Sequence, residues 1–177
     1  MNICVYGASS DQIDSIYLDA AHELGKTLAE RGHSMVFGAG ATGMMGAAVR
    51  GLERYGGRSI GVSPKFFDLP GVLHQNCTEM IFTETMRQRK EIMEQRADGF
   101  IMTPGGIGTY EEFFEILTLK QLGRHSKPIG ILNTNGYFDD LARLLADTAA
   151  KGFLREECLK LYFITDDIKQ LLDYIER

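Results

Sequence analysis

Cysteine is scarce in this chain, with only Cys4, Cys77 and Cys158 among 177 residues, far apart and without a CxxC pair. An odd, scattered set makes no disulfide framework and fits a reducing compartment. The four histidines, His22, His33, His74 and His125, form no HxxxH or His/Cys cluster. No zinc site or other protein-held metal is therefore expected. Long apolar runs are missing too, none approaching the roughly 20 residues that span a bilayer. The opening residues MNICVYGASS enter a strand-like pattern with no charged region and apolar stretch before it. Neither a membrane partner nor a signal peptide is expected, and a cytoplasmic location is. Excess positive charge is also absent. A net charge of -5 argues against a nucleic-acid partner, whose backbone is gripped by clustered Lys and Arg. It leaves room for a local basic pocket holding one small phosphate.

Two nucleotide signatures are missing as well. No GxGxxG with a later acidic residue follows the first strand, which speaks against a nicotinamide dehydrogenase. No GK[ST] follows any glycine loop, which speaks against a P-loop ATPase.

What is present is ordinary globular composition, 44% apolar and 24% charged, in a length that suits one domain over residues 1–177. Short β-rich runs alternate with helical periodicity. Strands are expected at Ile3–Tyr6, Met35–Phe37, Ser59–Ser63, Glu79–Thr83, Phe100–Thr103 and Pro128–Leu132, with a short run at Leu161–Ile164. Helices are expected over Ile16–Arg31, Met44–Tyr55, Thr85–Ala97, Thr109–Leu122, Phe138–Lys151 and Ile168–Ile175. Pro64–Gln75, with two prolines and no clean period, reads as a loop. The alternation implies right-handed βαβ crossovers. The fold class is α/β: a Rossmann-like, doubly wound, mainly parallel sheet with helices on both faces. Ligands of such sheets bind beyond the carboxyl ends of the strands, where the strand order switches direction.

Three of the loops at that end are rich in small residues. Gly7-Ala8-Ser9-Ser10 follows the first strand, and Gly38-Ala39-Gly40-Ala41-Thr42-Gly43-Met44-Met45-Gly46 the second. Gly40, Gly43 and Gly46, three residues apart, open a helix and suit an anion there. Pro104-Gly105-Gly106-Ile107-Gly108-Thr109-Tyr110-Glu111-Glu112 follows the fifth strand. Its glycines can expose consecutive N–H groups, and Thr109 adds a hydroxyl, a cradle for phosphate. Glu111 and Glu112 then fall in the first helical turn. One glutamate complements the helix dipole, but two beside a phosphate would repel it, so one should face another part of the ligand. On the helix around residues 86–97, Met86, Met93 and Ala97 mark the inward stripe, and Arg89 and Lys90 lie on it. A long inward cation either snorkels to the rim or meets a buried anion, here a glutamate of the 111–112 pair or a bound phosphate.

With these pieces together the chain resembles the LONELY GUY family of cytokinin-activating phosphoribohydrolases, often labelled lysine decarboxylase-like. The paired motifs PGGxGTxxE and MxxRK stand here as Pro104–Glu112 and Met86–Lys90. Gly38–Gly46, Tyr6–Ser10, Glu111–Thr118 and Gln121-Leu122-Gly123 also look like family features, so the similarity covers nearly the whole chain. It departs at Gly38-Ala39-Gly40, where members often have three glycines, and at Arg87, where many have histidine. The resemblance implies hydrolysis of the N-glycosidic bond of adenine-type nucleoside 5′-monophosphates, without a cofactor, by a homodimer. It implies Arg89 and Glu112 as the catalytic pair. Glu112 would stabilise the oxocarbenium-like state and position or deprotonate a water, and Arg89 would either orient it by a bidentate pair or contact the substrate, keeping the carboxylate ionised. Gly105, Gly106, Gly108 and Thr109 would bind the phosphate, and Lys90 and Thr118 would contact the nucleotide. Ser9 and Gly43, from the two earlier loops, complete the expected substrate contacts. The alternative is a carrier or sensor of this fold that binds nucleotide without cleaving it.

Overall fold

A computed structural model describes residues Met1–Arg177. In chain order the elements are β1 (Asn2–Tyr6), α1 (Ser15–Glu30), β2 (Ser34–Phe37), α2 (Gly43–Arg54), β3 (Ser59–Pro64), β4 (Glu79–Thr83), α3 (Met86–Arg96), β5 (Gly99–Met102), α4 (Ile107–Gln121), β6 (Ile129–Leu132), α5 (Asp139–Ala150), β7 (Phe163–Thr165) and α6 (Ile168–Ile175). The seven strands form one sheet in the order β4-β3-β2-β1-β5-β6-β7. Every pairing is parallel, so the expected mainly parallel sheet is wholly so.

Successive side chains of a strand point to opposite faces. In β1, Ile3 and Val5 pack with α1, α2 and α6, whereas Cys4 and Tyr6 pack with α3, α4 and α5. Both faces are covered by helices, which is why the central strands read as unbroken apolar runs. The helices α1 and α2 approach each other at backbone distance. A Cβ on Gly25 would lie 1.8 Å from the Ala48 carbonyl oxygen, and one on Gly51 2.1 Å from that of His22.

From β1 the chain steps outward through β2 and β3 to β4, and α3 then carries it back to β5 on the other flank of β1. The loops after β1 and β5 therefore diverge, leaving the crevice that such sheets use for ligands. The start of α3, which sets where its side chains point, is held by a reciprocal cap. Gln88 N–H donates to Thr85 Oγ1 at 3.2 Å, and Thr85 N–H to Gln88 Oε1 at 3.2 Å.

Most boundaries fall within a residue or two of expectation. The consequential difference is α4, which begins at Ile107 rather than Thr109 because Gly106, extended at φ -90 and ψ -154, serves as its N-cap. Gly108 is thereby drawn into the first turn, its poor helix propensity overridden by context. The segment 64–75 is a loop with one 3-10 turn at Lys65–Phe67. It folds back on the glycine loop: Ala41 N–H donates to Val72 O at 3.0 Å, and His74 N–H to Ala39 O at 2.8 Å. No helix is long and apolar enough to cross a membrane.

Candidate active site

The two switch-point loops are tied together first. Thr103 donates twice to the Tyr6 carbonyl, from its N–H and from its hydroxyl, each at 2.8 Å. Ala8 N–H donates to Pro104 O at 3.0 Å. Beyond them opens a cleft of about 600 Å³, within the range of small-ligand sites. Its walls come from four places: Gly7 and Ser9 after β1, residues 38–45 after β2, the α3 side chains Met86 and Arg89, and α4 with its preceding turn from Gly106 to Glu112. Phe67, Gly71, Val72 and Leu73 close one side.

At the α4 end, the N–H groups of Ile107, Gly108 and Thr109 have no partner within the helix, and no side chain caps them. These three residues line the cleft together with Gly106. Free donors and the positive end of the helix dipole make this a place for an anion.

Arg89 is 9% exposed. Its Nε–H donates to Val62 O at 3.1 Å, which fixes the guanidinium and leaves its terminal nitrogens for the cleft. Across it, Glu112 Oε1 lies 3.6 Å from Nη1. That is an ion pair beyond hydrogen-bond length, not the bidentate clamp expected. Burial dominates at this carboxyl and pushes it up to about 7, with Arg89 pulling the other way and Glu111 adding to the rise. The expectation of a carboxylate held firmly ionised is thus corrected. A desolvated acid facing a cation that it does not hydrogen-bond titrates near neutrality, which suits proton transfer.

Glu111 and Glu112 are the fifth and sixth residues of α4, and its first turn carries no acid. The dipole account of this pair falls with that register. Glu112 points into the cleft, while Glu111 is exposed and pairs with Lys90. Lys90 also reaches Glu115, at 2.9 Å. So α3 carries two cations with separate tasks: Arg89 in the cleft, Lys90 on the outer carboxylates.

Of the residues singled out in the sequence, Arg89, Glu112, Gly106, Gly108, Thr109 and Ser9 line the cleft. Gly105 is buried behind the turn. Lys90 and Thr118 do not line it, and Thr118 is exposed on α4. Gly43 lies at the start of α2, but its N–H donates to Asp11 Oδ1 at 2.6 Å. The anion on that helix terminus is this chain's own carboxylate. Sequence reading missed Asp11 because nothing local links it to a turn 32 residues away. It also missed Phe67, Val72 and Leu73, whose signal was an apolar content unusual for a surface loop. Ala39 adopts a left-handed backbone at φ 60, a conformation glycine takes more readily. No group of three or more His, Cys, Asp or Glu side chains is arranged to hold a metal ion.

A family model described as "Possible lysine decarboxylase" matches residues 45–175. The chain is 36% identical over 174 residues to cytokinin riboside 5'-monophosphate phosphoribohydrolase LOG2 of Arabidopsis thaliana, covering 98% of this chain and 82% of that one. It is 37% identical over 174 residues to cytokinin riboside 5'-monophosphate phosphoribohydrolase LOG of Oryza sativa subsp. japonica, covering 98% and 72%. Among solved structures, the molybdenum cofactor carrier protein of Chlamydomonas reinhardtii has a TM-score of 0.72 at 24% identity, covering 97% of this chain and 98% of that one. Similarity at that level shows a shared fold.

Proposed function

This chain belongs to the LONELY GUY family, and on that premise we propose that it hydrolyses the N-glycosidic bond of adenine-type nucleoside 5′-monophosphates, releasing free base and ribose 5-phosphate. The observation that carries the reading is one cleft holding both the open N-terminus of α4 and Glu112 beside Arg89.

The phosphate rests on the N–H groups of Gly106 to Thr109, with Gly105 and Thr109 shaping the turn, and Ser9 lines the facing wall. The ribose then lies over Glu112. As the bond from the anomeric carbon to the ring nitrogen breaks, its electron pair leaves with the base and positive charge grows on the sugar. The Glu112 carboxylate stabilises that charge and takes a proton from the attacking water, and the departing ring nitrogen takes up a proton to give the free base. Arg89 orients Glu112 and lowers the cost of its ionisation in a buried place. Phe67, Val72 and Leu73 offer an apolar surface for the base and any substituent on it.

The same reading makes the chain a single nucleotide-binding domain, cytoplasmic, without a nucleic-acid partner, and a homodimer. One stripe of α4 supports the dimer. Ile107, Phe114 and Leu122 are 88%, 37% and 64% exposed, and with Thr118 they share a face at helical spacing. A second copy on this stripe would cover the apolar side chains and bring Thr118 toward a shared site. Light scattering of the purified protein reads this directly.

The deciding experiment incubates the protein with AMP, with isopentenyladenosine 5′-monophosphate and with adenosine, following base and ribose 5-phosphate by chromatography. Base release from the two monophosphates and not from adenosine is the expected result. Binding of both without release would replace hydrolysis by the carrier reading.

A further inference from the structure

Resting on the phosphate-binding reading above, we infer that Tyr137 is a positioning residue for the phosphate turn, acting through the carbonyl of Gly105. The Tyr137 hydroxyl donates to Gly105 O at 2.9 Å. Gly105 is buried, whereas Gly106, on the other side of the same peptide bond, lines the cleft. A trans peptide unit is planar, and its C=O and N–H point in opposite directions. Holding the Gly105 oxygen toward Tyr137 therefore aims the Gly106 N–H away from it. Two successive glycines leave a peptide unit with little restraint of its own, because neither has a Cβ to exclude the flipped orientation. The hydroxyl supplies that restraint from outside the cleft.

The tyrosine is itself held. It follows a turn in which Asn135 and Gly136 both have left-handed backbone, at φ 53 and φ 69. Asn133 Oδ1 accepts from Phe138 N–H at 2.7 Å, fixing the start of α5. The ring meets Tyr17 of α1 edge-on, with centroids 5.7 Å apart, and Phe138 in the same manner at 4.9 Å. Tyr137 does not line the cleft, so it acts on a ligand only through the turn. It also ties the β6–α5 connection, which nothing in the paired motifs includes, to the anion site.

The test uses Tyr137→Phe, which keeps the ring and removes only the hydroxyl, with Tyr17→Phe as a control. Calorimetry measures ribose 5-phosphate and adenine binding, and steady-state kinetics with AMP are run alongside. Loss of one neutral hydrogen bond should weaken ribose 5-phosphate binding by about three- to tenfold and raise the KM for AMP equally. The kcat and the adenine affinity should stay unchanged, and Tyr17→Phe should match the wild type in all four. Unchanged ribose 5-phosphate affinity in Tyr137→Phe overturns the inference, as does an equal loss for adenine, which marks a merely structural role. Ribose 5-phosphate binding that depends on Tyr137 in a protein releasing no base would leave the inference standing and the hydrolase reading refuted. A wild-type protein that does not bind ribose 5-phosphate refutes both.

Discussion

The guanidinium of Arg89 lies across Gly38, so closely that a Cβ built on Gly38 would fall 1.7 Å from Nη2. The end of β2 and the first turn of α3 thus define one cation position between them. The bond from Arg89 Nε to Val62 O secures it from β3.

Gly38→Ala should therefore displace the guanidinium. The expected loss in kcat/KM is at least about tenfold, since small displacements of catalytic groups are costly. In an Arg89→Ala background the same change should add little, because the group it displaces is already gone. Additive losses in the double variant would show that Gly38 acts by some other route.

Glu112→Gln should cut turnover by at least about a hundredfold, the usual size of an acid–base contribution, and so should Arg89→Ala. Near-wild-type rates in both folded variants would remove these residues from the mechanism. The same Gln variant should be more stable than the wild type at pH 8. The Glu112 carboxyl sits at about 7 in the folded protein, against 4.5 for the ordinary group. Its contribution to stability is thus full below pH 4.5 and lost as pH rises through about 7. A neutral isostere escapes that loss, worth on the order of 3 kcal/mol, and a thermal melt at pH 8 against one at pH 5 reads it.

The pH dependence of the reaction follows from the same group. If the carboxylate is the active form, kcat/KM should rise with pH through about 7 and then level off. A profile that falls across this range would instead make Glu112 a proton donor. Arg89 opposes the upward shift, so Arg89→Gln should move the midpoint higher in whatever rate remains.

A second pH effect concerns stability away from the cleft. His125 Nε2 sits 2.8 Å from Ile116 O and so carries its proton there, while Nδ1 is buried without a partner. Desolvation lowers this imidazole from its usual 6.5. The folded state therefore disfavours the cation, and the contribution present above pH 6.5 is lost as pH falls below it. Denaturation midpoints between pH 7 and 5 should fall more steeply in the wild type than in His125→Phe. Parallel slopes would discard this account.

Much of this protein was legible from its residues. The strands announced themselves as apolar runs because both faces of a parallel sheet are buried, and that is a property of composition along a few residues. Arg89 could be placed inward from its three-residue spacing to Met86, since helical geometry alone decides which side chains share a face. The glycines of residues 105–108 marked an anion turn because exposed N–H groups need residues that allow close approach. Tertiary structure decided the rest. The start of α4 depended on the backbone angle at Gly106, and with it the register that sends Glu112 into the cleft and Glu111 outward. Lys90, adjacent to Arg89 and likewise cationic, was drawn to Glu111 and Glu115 by a helix packed beside its own. Asp11 took the α2 terminus, and residues 67–73 became a wall, through contacts between segments distant in the chain. The near-neutral titration of Glu112 was also invisible in sequence, because it measures how much water the folded chain removes from one carboxyl.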